Sequence, residues 1–359
     1  MTTVLVLGGA GYFGKQVVMA LKAHNNLQVL TGSRQSKDRQ IDLANPTTFS
    51  ALQDCDIIIN CTDTVKVQPD AAIAHVLAQG GTFIETTDDA KTLHRLINTW
   101  RGQNTTATAG RLIIGMGIMP GLSNIVAAAL VRKSANVDTL EVAIRFNPLS
   151  GAGAGMNRLT AQVIANVGKR FVDGKLVNSP PMWFAPLIPF RDGYGTAVRT
   201  GLPEALMLGY STSAKTTAAY LSTGSPILET ALLGTAFAFP QDAIFKPIAT
   251  DILSRAINEV RGGFLRNMRT PFEIVALANR RNWVQHDGDW LRVWLSDGIL
   301  AGGAAVAAGV QLMLSKNLAP GVYLPDEVFE LDDLINHLAQ TSGLRVETTW
   351  NLVHAQTAV

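Results

Sequence analysis

The sequence predicts an α/β protein: a doubly wound parallel sheet at the N-terminus, followed by a second domain. Three observations carry this expectation. A fully apolar strand, Val4–Leu7, runs straight into a glycine-rich turn and a helix. Short apolar runs then alternate with helical stretches as far as residue 120, the signature of βαβ units. Finally, 359 residues exceed what one hydrophobic core usually serves. The boundaries read as 1–120, 121–300 and 301–359.

Four apolar residues in a row, Val4-Leu5-Val6-Leu7, suit a strand buried on both faces. A Gly-x-Gly-x-x-Gly follows through Gly9, Gly11 and Gly14, with Tyr12 and Phe13 in the paired variable positions, and Lys15–Ala23 is helical in pattern. In a nucleotide-binding turn the first glycine permits the tight bend, the second admits a pyrophosphate, and the third lets helix and strand pack closely. The helix start then offers N–H groups to the phosphate charge.

Leu27–Thr31 reads as the second strand, ending in Gly32-Ser33-Arg34. A site selecting the unphosphorylated cofactor places an acid here to hold the ribose hydroxyls. The first acid is Asp38, past that position. Ser33 and Arg34 suit a ribose 2′-phosphate instead, which predicts NADP rather than NAD.

A helical Thr47–Leu52 leads to the strand Asp56–Asn60, whose tail Asn60-Cys61-Thr62 falls where carboxyl strand ends line a cofactor crevice. Pro69–Gln79 is a helix opened by proline and stopped at Gly80-Gly81. Thr82–Glu85 is the next strand, and Asp88 or Asp89 caps the helix running to Trp100. Strand Arg111–Gly115 enters the turn Met119-Pro120-Gly121-Leu122-Ser123-Asn124, and a helix, Leu122–Arg132, follows.

In the second half, Thr139–Phe146 has strand character, Ala154–Lys169 is helical in pattern, and Asp173-Gly174 makes a turn. The proline- and aromatic-rich Ser179–Pro189 cannot be a regular helix; it either covers the core edge or forms a lid. Arg145, Arg191 and Arg199 are candidates for a substrate carboxylate, and Tyr194 for a proton donor, but no residue is marked out as catalytic. Pro226–Phe237 and Ile248–Val260 are helical in pattern. Phe272–Asn279 and Trp290–Ser296 read as a hairpin turned near Asp287-Gly288-Asp289, a run too short for a calcium loop. Gly298–Leu314 is an apolar Gly/Ala-rich helix, read as buried rather than membrane-spanning, and Asp332–Gln340 is the last regular helix. The tail after Thr348 is expected to be weakly ordered.

Composition narrows the partners. A formal charge of +2 with scattered basic residues gives no nucleic-acid footprint. Two cysteines, Cys55 and Cys61, fit a reduced cytoplasmic setting, and six scattered histidines give no metal site. Only 16% of residues are charged against 47% hydrophobic, which favours self-association as a homodimer.

The chain resembles the saccharopine dehydrogenase family, in the group sharing its NADP-binding domain. The resemblance rests on Gly9-Ala10-Gly11-Tyr12-Phe13-Gly14, Gly32-Ser33-Arg34 and Asn60-Cys61-Thr62, and most specifically on Pro120-Gly121-Leu122-Ser123-Asn124 and Pro320-Gly321-Val322-Tyr323-Leu324-Pro325-Asp326-Glu327. It implies a Rossmann domain, a second α+β domain containing a mixed sheet that shapes the substrate site and a dimer contact, and C-terminal helices returning to the first domain. It also implies Gly9, Gly11 and Gly14 at the pyrophosphate and Ser33 and Arg34 at the adenosine ribose. Asn60, Cys61 and Thr62 would line the path to the nicotinamide, with Pro120, Gly121 and Asn124 beside that ring and the substrate. Where relatives carry a Tyr-x-Asp-Leu-Ser type run, this chain has Phe83-Ile84-Glu85-Thr86-Thr87. The expected activity is an NADP-dependent oxidoreductase acting on a C–N bond of an amino acid or imine. A reductase of a hydrophobic carbonyl compound and a non-catalytic dinucleotide sensor are the alternatives.

Overall fold

The computed structural model describes residues 1–101, 109–146, 167–179, 187–225, 229, 271–280 and 287–353. The chain divides into two compact units, Met1–Leu122 with Ile299–Leu344, and Ser123–Gly298 with Arg345–Val359.

The first unit is built on strands β1 (Thr2–Leu7), β2 (Leu27–Ser33), β3 (Arg39–Gln40), β4 (Ile57–Asn60), β5 (Thr82–Glu85) and β6 (Arg111–Ile114). Helices α1 (Tyr12–Lys22), α2 (Asp70–Ala78) and α3 (Ala90–Arg101) and a 3-10 turn, Pro46–Leu52, connect them. The apolar runs explain the burial: Val4 to Leu7 and Ile57 to Ile59 are almost inaccessible, as strands covered on both faces must be. Helix α1 buries Gly14, Val17 and Leu21, spaced three and four apart on one face. Asp89 is the acid that caps α3, its carboxylate accepting the Thr92 N–H at 2.8 Å and hydroxyl at 2.7 Å.

The second unit begins with α4 (Ser123–Lys133) and β7 (Thr139–Arg145). The hairpin β8 (Gly168–Val172) and β9 (Lys175–Ser179) turns through Asp173-Gly174, whose φ angles of 48° and 75° are those of a two-residue primed turn. Then come β10 (Ile188–Phe190), β11 (Gly193–Gly195), β12 (Val198–Arg199), α5 (Glu204–Ser211), β13 (Thr216–Ser222), β14 (Phe272–Ala278) and β15 (Trp290–Leu295). The main sheet runs β12-β13-β7-β14-β15 and is mixed: β13 lies parallel to β7, and the other pairings are antiparallel. Helix α4 packs on β7, β14 and β15, and α5 packs on β13. The opposite side is a second core of Ala143, Tyr220, Val275 and Leu277 under Ile188 and Phe190 of the β10–β11 hairpin.

The chain then returns to the first unit through α6 (Gly298–Lys316), β16 (Gly321–Tyr323), α7 (Pro325–Val328) and α8 (Leu331–Ala339). Strand β16 pairs with β6, which completes an all-parallel seven-stranded sheet ordered β16-β6-β5-β4-β1-β2-β3. This is the expected doubly wound Rossmann sheet, with its order reversing between β1 and β4. Helix α6 is long and apolar enough to cross a membrane, but 67% of its most apolar window is buried. Its small residues serve close packing: a β-carbon on Gly303 would lie 2.7 Å from the backbone of Gln16 in α1.

Two expectations are corrected. The start of the tail is a strand: β17 (Val346–Asn351) pairs antiparallel with β15 as the sheet's last strand, and Lys133 lies over the Trp350 ring at 4.1 Å, while residues 354–359 lie outside the described residues. The helix expected over Ala154–Lys169 does not reach its end, because Gly168 and Lys169 open β8. A β-carbon on Gly168 would approach Gly201 to 2.5 Å, so this close crossing requires glycine. Most of that stretch, most of Ser179–Pro189, the Ile248–Val260 segment and all but one residue of Pro226–Phe237 lie outside the described residues.

Candidate functional site

The turn after β1 stands at the point where the strand order reverses, the location at which open α/β sheets bind ligands. Gly8 takes φ +72°, donates to the Gly32 carbonyl at 2.9 Å and accepts the Gly11 N–H at 2.8 Å. The left-handed residue is therefore Gly8, where the sequence pattern assigned the tight bend to Gly9. Gly9 is held instead by crowding, since a β-carbon would meet Thr31 at 2.9 Å and the Val6 carbonyl at 3.1 Å. A β-carbon on Gly14 would lie 2.2 Å from the Gly8 oxygen, so helix and turn touch with no room for a side chain. Gly11 is the N-cap of α1 and makes no side-chain cap; the first helical bond is Lys15 N–H to Gly11 O at 3.0 Å. The Phe13 and Gly14 amides precede that bond, the usual arrangement of an anion-binding helix start. Tyr12 is exposed at the turn, whereas the Phe13 ring packs against Gly302 of α6.

Ser33 ends β2 and its hydroxyl accepts the Gln35 N–H at 3.2 Å; Arg34 is exposed beside it. Arg34, Arg39, Gln40, Thr48 and Ser50 line a cavity of about 510 Å³. Its acid, Asp42, is engaged by the Ala44 N–H at 3.0 Å. Asp38 folds back on Thr31, accepting its N–H at 2.9 Å and its hydroxyl at 2.8 Å, and these bonds hold its carboxyl below the usual range. Its charge is thus spent on closing the loop.

At the ends of β4 and β5 the polar groups form a buried network. The Asn60 amide donates to Glu85 Oε2 at 2.8 Å, and its oxygen accepts the Thr62 N–H at 3.2 Å and hydroxyl at 2.7 Å. The Thr87 N–H donates to the other Glu85 oxygen at 2.9 Å. Asn60 and Glu85 are both fully buried, and desolvation pushes the Glu85 carboxyl up to about 7 against these hydrogen bonds. Desolvation also drives the Cys61 thiol up to about 12, which favours its un-ionised form. Asn60 therefore positions Thr62, which is partly exposed, rather than facing outward itself. Glu85 had no sequence signal beyond closing an apolar strand.

Pro120, joined to Met119 by a cis peptide, and Gly121 at φ +118° form a tight turn after β6. Asn124 is wholly buried in the first turn of α4, in the second unit. Beside it, Ser123 donates to Glu204 Oε1 at 2.9 Å. Glu204 is fully buried, its Oε2 has no hydrogen-bond partner, and desolvation lifts its carboxyl to about 7. Glu204 carries no sequence signal that marks it out.

Of the arginines expected to meet a carboxylate, two are engaged within the protein. Arg145 pairs with Asp192 and Glu273, each at 2.6 Å, and Arg191 pairs with Glu347 at 2.7 Å. Arg199 has no such partner among the described residues, and its Nε is buried without a hydrogen bond. Tyr194 is 49% exposed on the β10–β11 hairpin. Among the described residues no group of three His, Cys, Asp or Glu can hold a metal ion.

No family model matches the chain, and no curated protein sequence matches it. Solved structures similar to it include the DAP dehydrogenase of C. glutamicum in complex with DAP, at 15% identity and TM-score 0.44, covering 93% of this chain and 98% of that one. An engineered D-amino acid dehydrogenase bound to NADP+ matches at 14% identity and TM-score 0.47, with the same coverage of 93% and 98%. A myo-inositol dehydrogenase from Corynebacterium glutamicum matches at 12% identity and TM-score 0.41, covering 97% and 98%.

Proposed function

We propose that the protein is an NADP-dependent oxidoreductase of the saccharopine-dehydrogenase type that acts on a C–N bond of an amino acid or imine. The observation carrying this reading is the Gly8–Gly14 turn at the sheet's reversal point, where a β-carbon at Gly14 would overlap the Gly8 carbonyl at 2.2 Å. Such a cradle fits a pyrophosphate. Gly9, Gly11, Tyr12, Phe13 and Gly14 frame it; Ser33 and Arg34 take the ribose 2′-phosphate, supported by Arg39 in the same cavity. The lack of an acid between Gly32 and Lys37 supports NADP over NAD.

The bound cofactor would supply the hydride. This chain's own residues would orient and enclose it: Asn60 fixes Thr62 through two hydrogen bonds, and Pro120 and Gly121 set the turn beyond β6. Residues 1–120 would carry the dinucleotide and 121–300 the substrate, and two copies would associate through the second domain.

The test is a fluorescence titration with NADPH and NADH, followed by a turnover screen over amino acids and over keto acids with amines. Preference for NADPH by about tenfold or more, lost in Arg34→Ala, is expected from a charge-assisted phosphate contact. Equal affinities unchanged by that substitution would overturn the NADP assignment, and cofactor binding without turnover of any amino acid or imine would overturn the activity.

A further inference from the structure

We propose that Arg170, Arg199 and Arg280 form a binding site in the second unit for a compact dianion, either a phosphate monoester or a dicarboxylate. Three guanidinium groups gather there around one carboxylate. Arg199 on β12 stands opposite Tyr220 on β13, so both side chains project from the same side of the sheet. The Tyr220 hydroxyl donates to Glu141 Oε1 at 2.6 Å, and Arg280 Nη2 lies 2.7 Å from Glu141 Oε2. The Arg280 guanidinium is 5.9 Å from the Tyr220 ring centre. Arg170 belongs to β8, which is tied to β13 by the Phe171 N–H donating to Thr217 Oγ1 at 3.1 Å.

The charges do not balance. Among the described residues, three arginines against Glu141 leave a surplus of two positive charges, and the Arg280 and Glu141 side chains are only 6% and 9% exposed. Three nitrogens, Arg170 Nε, Arg199 Nε and Arg280 Nη1, are buried with no hydrogen-bond partner. Burial first, and then repulsion from Arg199, lower the Arg170 pKa. Buried charges left unpaired are costly, and buried donors are normally satisfied. The same side of this sheet shows the satisfied case: around Glu273, the arginines 145, 191 and 292 meet Asp192, Glu273 and Glu347 in ion pairs. Planar guanidinium forks match carboxylate and phosphate oxygens, and a dianion would cancel the surplus. The inference uses residues of the second unit alone and does not depend on a dinucleotide in the first.

Calorimetric titration of the full chain with inorganic phosphate and with malonate tests it. Wild type is expected to bind at least one of them, and Arg170→Met and Arg199→Met each to weaken that binding about tenfold or more, the loss of a charge-assisted hydrogen bond. Binding of phosphate alone assigns the phosphate class, and of malonate alone the dicarboxylate class. If Arg199→Met fails to fold, Arg199→Lys, with charge kept and fork lost, is expected to bind more weakly than wild type. Affinities for both anions that are unaltered in the arginine variants, or no uptake of either anion by wild type, overturn the site.

Discussion

The Asn60 amide donates to Oε2 of Glu85 across 2.8 Å, joining the carboxyl ends of two neighbouring parallel strands where neither side chain meets solvent. Its companion bonds fix Thr62 and Thr87, so one buried carboxyl organises the floor beneath the candidate cofactor crevice.

That carboxyl gives stability a pH dependence of known sign. Its folded pKa of about 7 lies above the ordinary 4.5, so between those values the folded chain holds a proton that the unfolded chain has released. Stability from Glu85 is therefore complete below about pH 4.5 and falls as pH rises toward 7. The span corresponds to roughly 3 kcal/mol at most. In urea unfolding from pH 5 to 8, Glu85→Gln is expected to lose this part of the slope. An unchanged slope would mean that Glu85 is ionised throughout.

The Ser123 hydroxyl is the side-chain donor to a second buried carboxyl, Glu204. Ser123→Ala should cost about 1–3 kcal/mol, the penalty for a buried group left unsatisfied. The loss should be greater at pH 8 than at pH 5, because the ionised form needs the donor more. Chemical denaturation at the two pH values measures it.

Gly14→Ala places a methyl 2.2 Å from the Gly8 oxygen. The turn must move, so the variant should lose about 1–3 kcal/mol of stability together with dinucleotide binding. Urea midpoints and the fluorescence titration read the two effects separately. An alanine variant that binds NADPH as wild type does would remove the basis for a pyrophosphate cradle.

Gly303→Ala tests the role of α6 as a core helix. Its new methyl would meet the Gln16 backbone at 2.7 Å and force α6 away from α1. A destabilisation of about 1–3 kcal/mol in urea is expected; no change would show that this packing is loose.

The first sheet was legible because its signals are local. Unbroken apolar runs such as Ile57–Ile59 can only be buried strands, and Asp89 is followed three residues later by the amide it caps. Short edge strands were not legible: β16 has three residues and β3 two, too few for periodicity to register. The C-terminal strand was missed because Val346–Asn351 alternates like a strand but sits where chain ends usually fray. At the site, the glycine spacing located the turn while misplacing its bend by one residue, since φ at Gly8 is set by contact with Gly32 and Cys61. Glu85, Glu204 and the arginine cluster could not be read at all. Their properties arise from burial and from partners dozens of residues away, which no local pattern encodes.

The pairing of β6 with β16 also governs the order in which this polypeptide can mature. A nascent chain that has emerged from the ribosome through Ile114 presents β6 as a bare border with no neighbour on one side, and the strand that shields it arrives only with Gly321. Everything translated in between must emerge while that border stays open, an unpaired edge of the kind prone to wrong pairing.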